Sequence, residues 1–580
     1  MSAFMNPEQA VADRSAPTAQ PRQRASDIRA RGEPFTWALG GALGVGCLMI
    51  IGFLLMVFWN GVGTFVPKPI AVVTTTGGEI TAGEATRTEL YRPTPEVVAA
   101  LSEAARQTIA DRDGFAERTL YRIGNFDFYS EDFRWVSAFD VIDVKYPKDI
   151  VLVERTEWGP FIGHIESIAV DGEVIALDSV HDPRFAEAHA QARARWSQIQ
   201  DIERHQIGAV NYRINQQRLT LRRIELKDGR DSQAYSETKR AADAETAELQ
   251  SEYERLTEQA QALRQRNAGM TVTLEELGGR EKTIGIDEIV RTYPANDLSS
   301  SEKISIYLSR WWEFLSDEPR EANTEGGVMP AIFGTFAMTL LMVIAVAPFG
   351  VVTALYLREY ATQGRLVAFV RISVNNLAGV PSIVYGVFGL GFFAYVLGGS
   401  IDQLFYPERL PNPTFGTGGL LWSALTLALL TVPVVIVATE EALSAVPRSM
   451  REGSLACGAS KWQTIKYIVL PRALPGIMTG IILAMARGAG EVAPLMLVGV
   501  VKLAPELPVD GLFPYIHLER SFMHLGFHIY DVGFQSRNSE AGKPMVFVTT
   551  LLLIGLIFVM NISAIVVRNR LKKKFVGSQF

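Results

Sequence analysis

Six blocks of about twenty mostly apolar residues constrain this chain more than any other feature of its sequence. They run over 37–59, 331–355, 378–397, 419–438, 473–500 and 544–567. Each is long enough to cross a hydrocarbon core of about 30 Å. Lipid offers no partner to a bare peptide group, so such a run must cross as a helix. The pattern predicts an α-helical polytopic membrane protein with six transmembrane helices. Arg22, Arg24, Arg29 and Arg31 precede the first block, and Arg568, Arg570, Lys572, Lys573 and Lys574 follow the last. Arg358, Arg365, Arg448, Arg451, Lys461, Lys466 and Arg472 lie in connections expected on that same side. This bias puts both termini in the cytoplasm of a multi-pass inner-membrane protein.

The blocks divide the chain. Residues 1–35 read as a disordered cytoplasmic tail. Residues 36–60 are a first membrane anchor, 61–328 a periplasmic domain, 329–567 a membrane domain and 568–580 a basic cytoplasmic tail. The two cysteines, Cys47 and Cys457, fall in a span and in an inner loop, so no disulfide framework is expected. A net charge of −6 gives no reason to expect nucleic acid as a partner. No GxxxxGK[ST] segment occurs, so the chain has no P-loop, and a partner must hydrolyse any ATP used.

The outer segment reads as an inserted α+β domain. Thr94 and Pro95 suit the start of a helix over 95–112. Alternating residues split by turn signals predict strands over 133–177 and a short hairpin over 271–294. Residues of about 183–270 are long, charged and helical in period. Leu249, Tyr253, Leu256, Ala260 and Leu263 form a heptad seam. The interruption at residues 227–231 makes this an antiparallel helical hairpin, expected to project outward with a first arm of about 60 Å. Trp311, Trp312 and Phe314 follow on a helix expected near the membrane surface.

The inner loop 447–471 has the form helix, glycine, helix. Pro447 suits a helix start, Gly458 a helix stop, and Ser460 with Gln463 a capping box. Trp462, Ile465 and Val469 are spaced as one apolar stripe, and Leu470-Pro471 closes the unit. Glu452-Gly453-Ser454, three residues, Gly458, nine residues and Ile468-Val469-Leu470-Pro471 resemble the EAA loop of ABC-importer permeases. The resemblance implies an ABC-importer permease fold. It also implies that the loop carrying Glu452, Gly458, Ser460, Trp462, Leu470 and Pro471 docks on a separate ATPase.

Polar residues inside spans are costly and need a partner or an aqueous path. Arg487 and Glu491 stand four apart in the fifth block. Two readings apply: an oxyanion site in which the guanidinium binds bidentately, or an ion pair that only permits insertion. In the third block, Asn375-Asn376 through Pro381, Ser382 and Tyr385 reads either as a broken, pathway-lining segment or as a plain proline kink. Thr335 and Thr339 either line the pathway or back-bond to their own helix. His524 and His528, with His517 nearby, lack the carboxylate or cysteine that would complete a metal set.

The stretches NTEGGVMPAIFGT, NNLAGVPSIVYG, ATEEALSAVPRSMREGSLACGASKWQTI and ARGAGEVAPLMLVG, in this order, resemble the PstA family of phosphate-specific ABC permease subunits over about 323–567. Residues 490–495 are nearer to PstA than to its sister PstC, although Val492 replaces the more usual Thr. Where some relatives carry an arginine ahead of the Thr-Glu pair, this chain has Val437. The resemblance implies a PstC-like partner permease, a PstB-like ATPase dimer that carries ATP and Mg2+, and a PstS-like phosphate-binding protein. It implies inorganic phosphate as solute, a place for Arg487 in its path, and neither a cofactor nor a catalytic role for this chain. A permease for another oxyanion or small solute, or a membrane sensor or scaffold using the outer hairpin, are the alternatives.

Overall fold

The computed structural model describes residues 36–177, 182–536 and 539–576; the expected tail over 1–35 lies outside the described residues. Residues 1–59 and 60–580 form two separate units. The first contains most of the apolar helix Thr36–Gly63.

The second unit begins with two antiparallel sheets. Strands β1 Ile70–Thr75, β2 Ile80–Tyr91, β3 Ala116–Arg122, β4 Phe133–Ser137 and β5 Val141–Lys145 form one, in the order β4-β3-β2-β1-β5. Strands β6 Val151–Arg155, β7 Phe161–Val170, β8 Glu173–Ala176, β9 Met270–Glu275, β10 Glu281–Gly285 and β11 Ile289–Pro294 form the other, in the order β10-β9-β7-β6-β11 with β8 beside β7. The expected strands over 133–177 and 271–294 are therefore present. The expected helix over 95–112 is instead two, Pro95–Ala100 and Glu103–Asp111. The Thr94 side chain accepts no capping hydrogen bond, whereas the Ser102 hydroxyl accepts from the Ala105 amide and starts the second helix.

The helical hairpin is inserted between β8 and β9. Its first arm is Pro183–Asp201 continued, through a wider turn, by Ile207–Asp228; its return arm is Gln233–Ala268. Phe185, Ala188 and Ala192 at its root are buried on the second sheet against Met270, Val272 and Leu274. Farther out, Leu249, Leu256 and Ala260 close on Ile202 and Val210, with Tyr253 and Leu263 beside them, so the heptad seam is the contact between the arms. The hairpin does not project into solvent. It lies on loops of the membrane domain: Arg223 pairs with Glu408 at 2.5 Å, and the Tyr212 hydroxyl donates to the Phe513 carbonyl at 2.7 Å. Glu408 is 2% exposed at its side chain and Arg223 63%, so only the carboxylate end of this contact is desolvated.

The helix Ser300–Ser316, opened by a Ser299/Glu302 capping box, leads to the membrane domain. Among the described residues, six helices are long and apolar enough to cross a membrane: Ala38–Gly63, Met329–Tyr360, Ser382–Phe405, Leu420–Ser444, Lys461–Ala489 and Ser539–Lys573. The fifth differs from expectation. It begins before Leu470-Pro471, which sits at the start of its helix Leu470–Ala489 rather than closing the preceding unit, and it ends at Ala489 instead of near residue 500. The fourth helix is the most enclosed, and Leu427, Leu430 and Val435 pack against Met338, Met342 and Val346 of the second.

Candidate functional site

The elbow over residues 447–471 is built by local chemistry. The helix Arg448–Ala456 ends before Gly458, whose φ of +85° is a left-handed stop that glycine tolerates best. The Ser460 hydroxyl accepts from the Gln463 amide at 3.2 Å, and the Gln463 side chain accepts from the Ser460 amide at 2.8 Å. The capping box is therefore present. A contact not expected from the sequence joins the two halves: the Ser454 and Thr464 hydroxyls lie 2.9 Å apart.

Arg451 ties this elbow to the bundle. It donates to the Val446 and Leu443 carbonyls at 2.5 and 2.7 Å and pairs with Glu359, at the inner end of the second span, at 2.9 Å. The expected apolar stripe is split. Ile465 and Val469 are buried in the bundle, while Trp462 is 57% exposed. Leu455, Trp462 and Tyr467 are exposed apolar side chains of this elbow and its continuation, and Glu452 is exposed as well.

Arg487 occupies the last turn of the fifth span, and Glu491 lies beyond the end of that helix at Gly490. The two side chains are 3.8 Å apart, outside hydrogen-bond length, and are 41% and 23% exposed. The pair is thus a loose contact across a helix end. Gly488 lets the Met342 thioether approach to where a Cβ would stand, 2.3 Å from its sulfur, so the fifth span meets the second closely here.

Pro381 is not a kink inside a helix. The helix Arg365–Leu377 stops, residues 378–381 form a full break, and Ser382–Phe388 starts anew. The Tyr385 hydroxyl spans the break by donating to the Leu377 carbonyl at 2.5 Å. A Cβ on Gly386 would stand 2.8 Å from the Pro494 Cα, so this break packs on the segment that follows Arg487. Asn376 is exposed and Ser382 half-buried. Thr335 and Thr339 are fully buried, and their hydroxyls donate to the Ala331 and Thr335 carbonyls, both at 2.7 Å. The Thr335 oxygen also accepts from the Leu525 amide at 2.9 Å. Thr335 thus joins two elements inside the bundle, whereas Thr339 back-bonds to its own helix, and both are 0% exposed.

A buried polar group beyond the fifth span was not legible in the sequence. Asp531, 1% exposed, accepts from Asn323 at 2.9 Å and pairs with Lys502 at 3.1 Å. His528 and His524 lie nearby on the Leu525–Tyr530 helix and at its cap. Burial pushes both imidazoles down to about 4, with Asp531 opposing that for His528. His517 is held between Asp510 and Glu519 at 3.0 and 3.3 Å. Among the described residues no group of three or more His, Cys, Asp or Glu side chains is placed to hold a metal.

Residues 347–573 match the family model described as the inner membrane component of binding-protein-dependent transport systems. A probable ABC transporter permease protein, YqgH, of Bacillus subtilis is 36% identical over 204 residues, 34% of this chain and 62% of that protein. The phosphate transport system permease protein PstA 1 of Mycobacterium tuberculosis is 40% identical over 196 residues, 34% of this chain and 59% of that protein. The PstA of Haemophilus influenzae is 34% identical over 174 residues, 30% of this chain and 55% of that protein. The chain thus spans about three-fifths of the length of these relatives, and its first 346 residues stand outside the family match. Over residues 347–573 the chain is thus similar to the inner membrane component of binding-protein-dependent transport systems, and its sequence there is similar to PstA permeases.

Proposed function

We propose that this chain is the membrane permease subunit of an ATP-driven importer that carries inorganic phosphate inward across the inner membrane. A PstC-like permease completes the pathway, a PstB-like ATPase dimer supplies ATP and Mg2+, and a PstS-like protein delivers the anion outside. Arg487 carries this reading. Its guanidinium ends a membrane helix, is partly exposed, and meets Glu491 only at 3.8 Å. A planar cation so weakly engaged has its donor fork available for a tetrahedral oxyanion. Glu491 orients it, while Tyr385, Ser382 and Asn376 border the break packed against the same region. Thr335 supports the pathway from behind through the Leu525 amide, and Thr339 through the Thr335 carbonyl.

In this reading the ATPase docks on Glu452, Trp462 and their neighbours. Closure of its dimer pulls the elbow, and Arg451 passes the pull to Glu359 and so to the second span. Direction follows from the different contacts made in the two states, since a ligand moves an equilibrium only by its differential affinity.

The test is labelled-phosphate uptake in cells lacking their own high-affinity system, with this chain and its three partners co-expressed and sulfate, molybdate and arsenate as competitors. ATP-dependent uptake blocked by arsenate alone is expected, and Arg487→Gln should abolish it in an assembled complex. An assembled complex that takes up no phosphate would sink the substrate; uptake that survives Arg487→Gln would return Arg487–Glu491 to a structural pair.

A further inference from the structure

The helix Ser300–Ser316 has three sectors. Tyr307, Arg310, Trp311 and Phe314 face inward. The Tyr307 hydroxyl donates to the Val62 carbonyl at 3.2 Å and Arg310 to the Phe65 carbonyl at 3.1 Å. The Phe65 ring meets Trp311 edge-on at 5.1 Å, and Phe314 is fully buried. Ser305, Ser309, Glu313 and Ser316 make a polar flank. The third sector is apolar and uncovered: Ile304, Leu308, Trp312 and Leu315 are 60%, 59%, 73% and 40% exposed. They stand at i, i+4, i+8 and i+11, a single continuous stripe on a helix. Isolated exposed apolar residues are ordinary; a contiguous stripe of this size marks an interaction surface.

The helix's own contacts say what covers it. Residues 62 and 65 border the end of the first apolar helix at Gly63. At the other end, the Phe314 carbonyl accepts from the Val328 amide at 2.8 Å and the Asp317 carbonyl from the Met329 amide at 3.2 Å, where the second membrane helix begins. Both ends of the stretch 307–317, about 15 Å long, therefore touch chain at the outer limit of membrane helices. A helix so held lies along the membrane surface. An amphipathic helix in that plane, with a tryptophan at its apolar face, fits the headgroup boundary.

We propose that Ser300–Ser316 is an in-plane membrane anchor, with Ile304, Leu308, Trp312 and Leu315 resting in the outer leaflet of a phospholipid bilayer. The anchor holds the extracytoplasmic domain at the surface, independently of what the membrane domain carries. Trp311, expected at the membrane, faces the protein instead; its neighbour Trp312 meets lipid.

The test uses the full chain in phosphatidylethanolamine–phosphatidylglycerol vesicles, with Cys47→Ser and Cys457→Ser leaving single-cysteine sites for a nitroxide. Leu308→Cys and Trp312→Cys are compared with Phe558→Cys, exposed on the last span, and with Val174→Cys, exposed on β8. Collisions with oxygen and with a water-soluble nickel chelate are measured. The expected result is the Phe558 pattern at 308 and 312, high for oxygen with loss of nickel collisions, and the Val174 pattern at Ser305→Cys. Nickel access at 308 and 312 equal to that at 174 would place the stripe in water. Loss of both collisions would mean that another protein, not lipid, covers it. Either result overturns the anchor.

Discussion

Arg155 is 2% exposed, and its guanidinium is used on every side. It pairs with Asp127 at 2.7 Å and donates to the Trp158 and Gly159 carbonyls at 2.8 and 2.9 Å, pinning two residues with positive φ. Removing one partner of a buried pair costs about 3–5 kcal/mol when the other is left alone; Asp127 keeps Lys282 at 3.1 Å, so the loss here comes from the Asp127 contact and the two freed carbonyls together. Arg155→Met should therefore lower the unfolding temperature of the purified chain sharply, and Arg155→Met with Asp127→Leu should recover part of the loss; an unchanged melting curve would refute this. His524 and His528 give the pH counterpart, and both lie outside the six apolar helices. Their folded values of about 4 lie below the ordinary 6.5. Above pH 6.5 both are neutral in either state and nothing is lost. Between 6.5 and 4 the unfolded chain takes up protons that the fold refuses, so stability falls by about 3 kcal/mol per histidine across that window. His528→Gln should flatten this acid decline in a series of melting curves, and an equally steep decline would rule its burial out as the cause.

Elements built from near neighbours were legible in the sequence, and those that depend on distant partners were not. The Ser460–Gln463 capping box and the Gly458 stop are local chemistry, and both are present. Ser460→Ala should cost about 1 kcal/mol at that helix start and lower the ATPase rate of the assembled complex, with its assembly as the control. Trp462 shares its spacing with Ile465 and Val469, yet spacing alone did not separate the exposed residue from the buried ones. Strands β1 to β3 escaped because β2, ITAGEATRTELY, is mostly polar and buries only Thr81 and Gly83. The fifth span was read too long because Val492 to Val500 continues its apolar composition past the break at Gly490. The Arg487–Glu491 spacing was plain in the sequence; that the helix ends between them was not, and the end is what loosens the pair.

At the scale of the molecule, the apolar blocks carried the membrane architecture, and turn signals carried most of the second sheet. The posture of the hairpin was beyond reach, because it rests on Arg223 meeting Glu408, 185 residues away. Arg223→Ala leaves a buried carboxylate alone, so the turn at residues 229–232 should become more sensitive to limited proteolysis while the sheets stay resistant. A cleavage pattern like that of the parent would mean the ion pair does not hold the tip. This posture has a mechanical side. Tyr212 and Arg223 stand about 16 Å apart on one helix, and each grips a different loop of the membrane domain. A stiff rod fastened at two points allows those points to turn together but not to draw apart. Whatever motion opens the outer face must swing the rod with it or unfasten one end, and the root of that rod is packed into the second sheet. The domain that carries the hairpin is thereby geared to these loops, and its tilt should follow any movement of theirs.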